Sequence, residues 1–378
     1  MRIGFLTADL VHRHGWGHHN LSLIQALRRA GVEVSVVAPR NSPAIEGLSV
    51  APILPTVDPR ERGLVPRSAL QIPRVSALLS DCDIVHSAIE PFAPLGAWVA
   101  GSRPLFITGH GSYVRVDRQR WPSRLLYRHA FYRGLLVCVS HYTARVVSSI
   151  LPGVRTVVVN NGVDVERFIG LRADVGAALR PVVHKRGPTV LSVGAVKRRK
   201  GTLELVQAMA VVRQRVPDVQ CVILGSLDME PDYARQVQEA VTALGLDDCV
   251  QLPGSVSDEA LLAWYGVADV FVLPSINSDW KFEGYGLVHM EASAAGLPVI
   301  GTTDCGAEDA VEDGVTGLLV PQQGIDEALP QAILAILTDP ERAKHMGAAG
   351  RARAQRQTWD HVARQMLALY EAALQRKT

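Results

Sequence analysis

The sequence predicts an α/β protein built from two doubly wound domains, each a parallel sheet with helices on both faces. Two observations carry this. Short apolar runs alternate with amphipathic stretches along nearly all of the 378 residues, the pattern of β-strands joined by crossover helices. The alternation also occurs as two series, separated by a linker near residues 165–188, and the chain is long enough for two large cores.

In the first series, Arg2–Ala8 and Glu33–Ala38 read as strands around a helix, Asn20–Ala30, closed by Gly31. Further strands are expected at Ile84–His86, Pro104–Thr108, Leu135–Val139 and Thr156–Val159, with helices over 67–80, 91–101, 121–133 and 141–151. The segment Arg40–Arg67 is turn-rich and broken by prolines, and reads as a long loop. In the second series the strands are Val190–Val193, Gln220–Leu224, Val250–Leu252, Val270–Leu273, Val299–Ile300 and Leu318–Val320. The helices are Thr202–Arg215, Asp232–Leu244, Asp258–Gly266, Leu287–Ala295, Asp326–Leu337 and Glu341–Gln355, followed by a last helix over Trp359–Leu374. The predicted division is residues 1–165 and 166–357, with 358–378 packing back on the first domain. Two doubly wound domains facing each other leave a cleft at the carboxyl ends of both sheets, where helix starts expose unpaired N–H groups.

Hydrophobic content of 48% and charge of 20% fit an ordinary globular protein. No run approaches 18 apolar residues, so no spanning helix is expected, and a first strand cut off by Asp9 does not read as a signal peptide. The five cysteines are scattered and odd in number, which suits reduced thiols in the cytoplasm. Residues 1–165 hold 18 arginines, no lysine and 10 acidic residues, a net of +8; residues 166–378 hold 21 basic and 27 acidic residues, a net of −6. A basic first half suggests that it meets an anion. Nucleic acid is not expected, because total charge is near neutral and no reader motif occurs.

The most specific stretch is Glu283-Gly-Tyr-Gly-Leu-Val-His-Met-Glu291, followed by Ala-Ser-Ala-Ala-Gly-Leu-Pro-Val-Ile-Gly-Thr. Gly284 and Gly286 mark a turn that opens a helix at Leu287. Eight helical residues rise about 12 Å, too far for carboxylates that flank one glycosidic bond at roughly 5 to 9.5 Å. The pair suits the two ends of one long ligand, a sugar near Glu283 and a ribose near Glu291, with phosphates at the helix start between them. Two solvated helix glutamates are the plainer alternative.

This Glu-x7-Glu motif and its tail resemble the retaining glycosyltransferases of the GT-B fold, in the GT4-like group 1 family, and the resemblance covers nearly the whole chain. It implies a metal-independent transferase with no cofactor, using a UDP- or GDP-linked sugar as donor and an acceptor hydroxyl, lipid-linked, glycan or small molecule. It also implies retention of configuration and a place in cell-envelope or glycan synthesis.

Lys197-Arg-Arg-Lys-Gly-Thr202 follows a predicted strand and opens a helix, with Thr202 as expected N-cap. Clustered cations there stabilise the charge of a leaving diphosphate. Lys200 matches the Lys of the family's Lys-Gly pair. The family's arginine usually follows the strand-end glycine, but Gly194 precedes Ala195 here, so Arg199 or Lys197 is the candidate substitute. Thr108-Gly-His110-Gly-Ser112 places an imidazole at a strand end, where the family has a histidine on the donor sugar. His14-Gly-Trp-Gly-His-His-Asn20 reads as a loop between first strand and first helix. Gly15 matches the family's second glycine, and Trp16 and His18 are acceptor-side candidates. His14, His18 and His19 lack a carboxylate pattern that would make them a metal site. Asn160-Asn-Gly-Val-Asp164 is similar to the family's hinge, with Asn161 as a further acceptor-side residue. Strand-end turns at Gly225 and Val256 are candidates for the nucleotide, as are Gly284, Tyr285, Gly286 and Leu287. The inserted segment Asp279-Trp-Lys281 reads as a lid.

Arg115–Arg133 interleaves six arginines with Trp121, Leu125, Leu126, Tyr127, Phe131 and Tyr132. It suits peripheral contact with an anionic membrane at its cytoplasmic face; an amphipathic helix packing its aromatics inward is the alternative. Two other functions stay open: an isomerase or epimerase acting on a nucleotide sugar, and an inactive nucleotide-sugar-binding protein, which the Ala195 departure keeps in view.

Overall fold

The computed structural model describes residues 1–8, 10–11, 15–57, 63–171 and 183–376. The chain separates into two compact units, Met1–Gly162 with Trp359–Thr378, and Val163–Thr358.

The first unit holds a seven-stranded sheet of β1 (Arg2–Leu6), β2 (Glu33–Pro39), β3 (Val50–Leu54), β4 (Ile84–Ser87), β5 (Leu105–Gly109), β6 (Leu135–Cys138) and β7 (Thr156–Val158). The order is β3-β2-β1-β4-β5-β6-β7, and every pairing is parallel. β1, β4 and β5 are buried on both faces, which is why they lack an alternating apolar and polar pattern. Around the sheet lie α1 (Gly15–Arg29), α2 (Leu64–Ala69), α3 (Ile72–Leu78), α4 (Ala93–Ala100), α5 (Ser123–Arg133) and α6 (His141–Ile150).

The second unit holds a six-stranded sheet of β8 (Thr189–Val193), β9 (Gln220–Leu224), β10 (Val250–Gly254), β11 (Val270–Val272), β12 (Val299–Thr302) and β13 (Gly317–Val320). Its order is β10-β9-β8-β11-β12-β13, again all parallel. Its helices are α7 (Thr202–Arg215), α8 (Pro231–Ala243), α9 (Asp258–Val267), α10 (Leu287–Ala295), α11 (Ala307–Ala310), α12 (Ile325–Leu337) and α13 (Pro340–Arg356). In each sheet the strand order reverses direction once, between β1 and β4 and between β8 and β11, the position where open α/β sheets bind ligands.

The last helix, α14 (Trp359–Gln375), belongs to the first unit. Arg29 on α1 pairs with Asp360 at 2.6 Å. Deeper in, the Tyr370 hydroxyl lies 2.6 Å from Nδ1 of His86, whose Nε2 is 2.8 Å from Thr108 Oγ1. Both rings are fully buried, so the helix is tied to β4 and β5 by a polar bond inside the core. No described helix is long and apolar enough to cross a membrane.

Four local readings change. The expected loop Arg40–Arg67 contains β3, an edge strand that tolerates Pro52 because an edge needs fewer N–H donors. The expected loop at Gly15–His19 is the first turn of α1. Its glycines and histidines are weak helix formers, but Gly17, His19 and Asn20 are buried, and packing overrides propensity. The helix expected over 67–80 is two, α2 and α3, with Pro73 opening the second. Finally, Gly201, at φ 66°, stands at the N-cap of α7 without a side-chain cap, and Thr202 is the first helical residue.

Candidate active site

The second unit gathers its polar groups at the carboxyl ends of β8 and β11. The chain leaves β8 through Gly194 and turns through a 3-10 segment, Arg198–Lys200, into α7. A Cβ on Gly201 would lie 1.8 Å from the Pro274 carbonyl oxygen. Only glycine lets this turn press against the end of β11, and the Ile276 N–H bonds back to the Arg199 carbonyl at 3.0 Å. The two strand ends are thereby locked together, which brings the basic run against Glu283.

Glu283 Oε2 accepts hydrogen bonds from Lys200 Nζ at 2.5 Å and Arg199 Nη1 at 2.7 Å. Glu283 is 8% exposed. Burial pushes its carboxyl up, but Lys200 and Arg199 outweigh that and hold it well below the usual carboxylate range. Burial also lowers Lys200, and Glu283 opposes the shift. Two cations on one carboxylate leave an excess positive charge, and Lys197 stands near it, lowered by burial and then by Arg199 and Lys200. The hydrogen bonds to the Glu283 side chain converge on Oε2, which leaves Oε1 for a ligand.

The backbone after Glu283 is equally constrained. The Gly306 N–H donates to the Glu283 carbonyl at 2.8 Å, and a Cβ on Gly306 would fall 2.0 Å from the Gly284 oxygen. Gly286, at φ 78°, caps α10, and His289 Nδ1–H donates to its carbonyl at 3.1 Å. Burial takes His289 down to about 4, so the ring is neutral. Because α10 begins only at Leu287, the stretch from Glu283 to Glu291 is not eight helical residues, and the expected 12 Å rise does not apply. The helical part, four steps, rises about 6 Å. Tyr285 is 3% exposed, buried at the turn that opens α10. Gly225 is required where the ends of β8 and β9 meet, since a Cβ there would sit 2.2 Å from the Gly194 oxygen. Val256 lies after β10, half-buried. In the inserted segment, Ser278 and Lys281 close a tight turn by exchanging backbone hydrogen bonds.

In the first unit, His110 follows β5. Its Nε2–H donates to the Ala88 carbonyl at 2.8 Å, and its backbone N–H donates to Glu90 Oε1 at 2.6 Å. Burial lowers the imidazole to about 4, so it is neutral, with Nδ1 as an acceptor. Trp16 stands 6.4 Å from His110 and 4.8 Å from Tyr113 between ring centroids. His19 meets the His110 ring at 4.6 Å and the Trp359 ring at 5.2 Å, and His18 approaches Trp359 at 6.2 Å. The structure thus brings together Trp16, His18 and His110, adding Glu90 and His19. Asn161 is buried, and Gly15 is exposed at the start of α1. His14 lies outside the described residues. Glu90 carried no motif; the only sequence signal was an acid in an apolar run, Ala88-Ile-Glu-Pro-Phe92.

Two all-parallel doubly wound units, one with a cation-clamped glutamate beside a glycine-capped helix, define a glycosyltransferase of the GT-B fold. The Glycosyl transferases group 1 family model matches residues 180–353, and the Glycosyltransferase Family 4 model matches residues 13–167. A GDP-mannose-dependent alpha-(1-6)-phosphatidylinositol monomannoside mannosyltransferase from Mycobacterium tuberculosis is 32% identical over 307 residues, 79% of this chain and 74% of that protein. A D-inositol 3-phosphate glycosyltransferase from Kribbella flavida is 36% identical over 222 residues, 57% of this chain and 50% of that protein. Among solved structures, sucrose-phosphate synthase from Thermosynechococcus elongatus superposes with a TM-score of 0.83 at 25% identity, covering 98% of each chain. Anabaena Alr3699/HepE, solved with UDP and glucose, superposes at 0.79 and 20% identity, over 98% of this chain and all of that one. The chain belongs to the GT4-like group 1 family of glycosyltransferases.

Proposed function

We propose that the protein transfers a hexose, with retention of configuration, from a nucleoside-diphosphate sugar to the hydroxyl of an inositol-containing acceptor, and that the preferred donor is GDP-mannose. The observation that carries the donor assignment is the Arg199–Glu283–Lys200 cluster. Its excess positive charge, at a helix start, matches the charge that develops on a departing diphosphate. Glu283 Oε1 is assigned to hydroxyls of the transferred sugar, Glu291 to the ribose, and His110 Nδ1 accepts from a sugar hydroxyl. The acceptor attacks from the face that the diphosphate leaves, and a diphosphate oxygen takes its proton. Gly225, Val256 and the 284–287 backbone line the nucleotide; Gly15, Trp16, His18 and Asn161 serve the acceptor side.

The choice of sugar and acceptor is supported by the M. tuberculosis relative, whose name specifies GDP-mannose, and by inositol and phosphate in the acceptors that both relatives' names give. The arginine excess of residues 1–165 supports a phosphate-bearing acceptor. The exposed face of α5 is assigned to an anionic membrane.

The test is turnover with GDP-mannose, GDP-glucose, UDP-glucose and UDP-N-acetylglucosamine, each with inositol phosphate or phosphatidylinositol mannoside as acceptor. Acceptor-dependent release of GDP with an α-mannosylated product is the expected result. A sugar altered while still on its nucleotide, or release with inverted product, would overturn the assignment.

A further inference from the structure

We propose that Tyr265 is a positioning residue for the donor ribose: its hydroxyl fixes the Glu291 carboxylate so that Oε1 faces the sugar's diol. The inference rests on the assignment of Glu291 to the ribose and adds the group that makes that contact selective.

Tyr265 lies on α9, with Glu291 on the neighbouring α10. Its hydroxyl donates to Glu291 Oε2 at 3.0 Å. The ring is fully buried and held on two sides. Phe168 meets it edge-on at 5.4 Å and 87°, and Phe271 of β11 stacks beside it at 6.1 Å and 22°. The next residue, Gly266, packs against the Leu171 backbone, where a Cβ would sit 2.8 Å from the carbonyl oxygen. The hydroxyl is therefore delivered from a rigid wall.

Glu291 differs from it. The residue is only half-buried, and a glutamate on a helix samples several rotamers. Tyr265 selects the rotamer in which Oε2 is occupied, and Oε1 is left as the acceptor. A ligand then binds a carboxylate already ordered, without the cost of freezing it. Burial raises the Glu291 carboxyl, and the Tyr265 hydroxyl and the Arg167 guanidinium pull it back down, so the same hydroxyl also favours the charged form that two ribose hydroxyls would bind. Arg167 reaches the site from a 3-10 turn, Val165–Arg167, where it pairs with Asp258 at the start of α9.

A purely structural role, a buried phenol satisfied by the nearest carboxylate, predicts lost stability and nothing about the ligand. Binding of GDP and of 2′,3′-dideoxy-GDP to the full chain, measured by calorimetry, separates the two. The wild-type protein is expected to prefer the ribose form by at least about tenfold, because a site built for hydroxyls rejects the analogue lacking them. In Tyr265→Phe this preference falls about threefold to tenfold, while affinity for the dideoxy form stays within about twofold. Glu291→Gln should reduce the preference at least as far. If Tyr265→Phe keeps the full preference while Glu291→Gln loses it, the proposal for Tyr265 is overturned and the ribose assignment stands. If Glu291→Gln also keeps it, or the wild type shows none, the ribose assignment fails first. Should Tyr265→Phe not fold, Phe168→Leu loosens the ring and keeps the hydroxyl; an unchanged preference there also overturns the proposal.

Discussion

Lys200 Nζ donates to Glu283 Oε2 at 2.5 Å, across 83 residues of sequence, and Arg199 reaches the same oxygen. Arg199 therefore shares a carboxylate oxygen with Lys200, which favours it over Lys197 as the proposed second cation where Ala195 departs from the family pattern. The three groups form one charged unit, so their effects are not additive. Lys200→Ala is expected to lower kcat/KM about a hundredfold or more, as loss of a charge-stabilising donor does. Glu283→Ala should be the more destabilising change, by about 3 to 5 kcal/mol, because it leaves two cations without their carboxylate. Steady-state kinetics and thermal melts of the single and double variants check this. Near-wild-type turnover in Lys200→Ala would remove the diphosphate assignment.

Stability should pass through a maximum near neutral pH. Burial lowers His86 to about 3 and His110 and His289 to about 4, with His19 also lowered. Below their ordinary value of about 6.5, the unfolded chain binds more protons at these rings, so stability falls as pH drops. Glu90 has the opposite sign: burial raises it from 4.5 to about 8, and the folded state keeps a proton that the unfolded state loses. Its contribution is full below about 4.5 and declines as pH rises towards 8. The melting temperature is expected to climb from pH 5 to about 6.5, then decline to pH 8. Glu90→Gln, which keeps an acceptor for the His110 N–H, should flatten the upper limb. Superimposable wild-type and variant curves above pH 6.5 would contradict it.

The bond between His86 and Tyr370 fastens α14 to the core of the first unit. Tyr370→Phe deletes one hydroxyl and leaves a buried imidazole nitrogen unsatisfied, at an expected cost of about 1 to 3 kcal/mol. Because Phe106 also packs edge-on against Tyr370, at 4.7 Å, the aromatic contact survives. The destabilisation should therefore appear in chemical denaturation without loss of helix content. A change within about 0.3 kcal/mol would show that the bond contributes nothing net.

The legible parts of the chain are those whose cause is local. Buried parallel strands are continuous apolar runs, so β8, β9 and β11 could be read directly; α10 was marked by Gly286 and Gly296 at its ends. The Lys200-Gly201 turn and the two glutamates were visible because each is a short motif. What stayed hidden depends on distant contacts. Glu90 matters because β4 lies beside β5, which sets it under the His110 backbone. Tyr265 carries no motif of its own, and its meaning lies in a hydroxyl aimed at Glu291 from another helix. Gly201 is forced by a carbonyl 73 residues away, and the start of α1 follows from packing that overrides weak propensity.

The segment Arg115–Arg133, which ends in α5, is divided in a way that bears on membrane contact. Tyr127, Ala130 and Phe131 are buried, while Trp121, Leu125 and Tyr132 are 78%, 53% and 42% exposed. Of the arginines, Arg115 is held by Asp117 at 2.8 Å, and Arg133 bonds backbone carbonyls. Arg120 and Arg124 stand exposed beside Trp121 and Leu125. Apolar rings ringed by arginine suit insertion at an anionic interface. Each arginine near such a surface contributes about 1 kcal/mol, so Arg120→Ser with Arg124→Ser should weaken binding to phosphatidylglycerol vesicles about tenfold to thirtyfold. Trp121→Ala should weaken it without altering the salt dependence. Both variants change exposed side chains and should leave turnover on a water-soluble acceptor unchanged. Flotation with anionic and with neutral vesicles, at low and high salt, measures this. If the wild-type chain stays with the protein fraction on both, the segment has no membrane role.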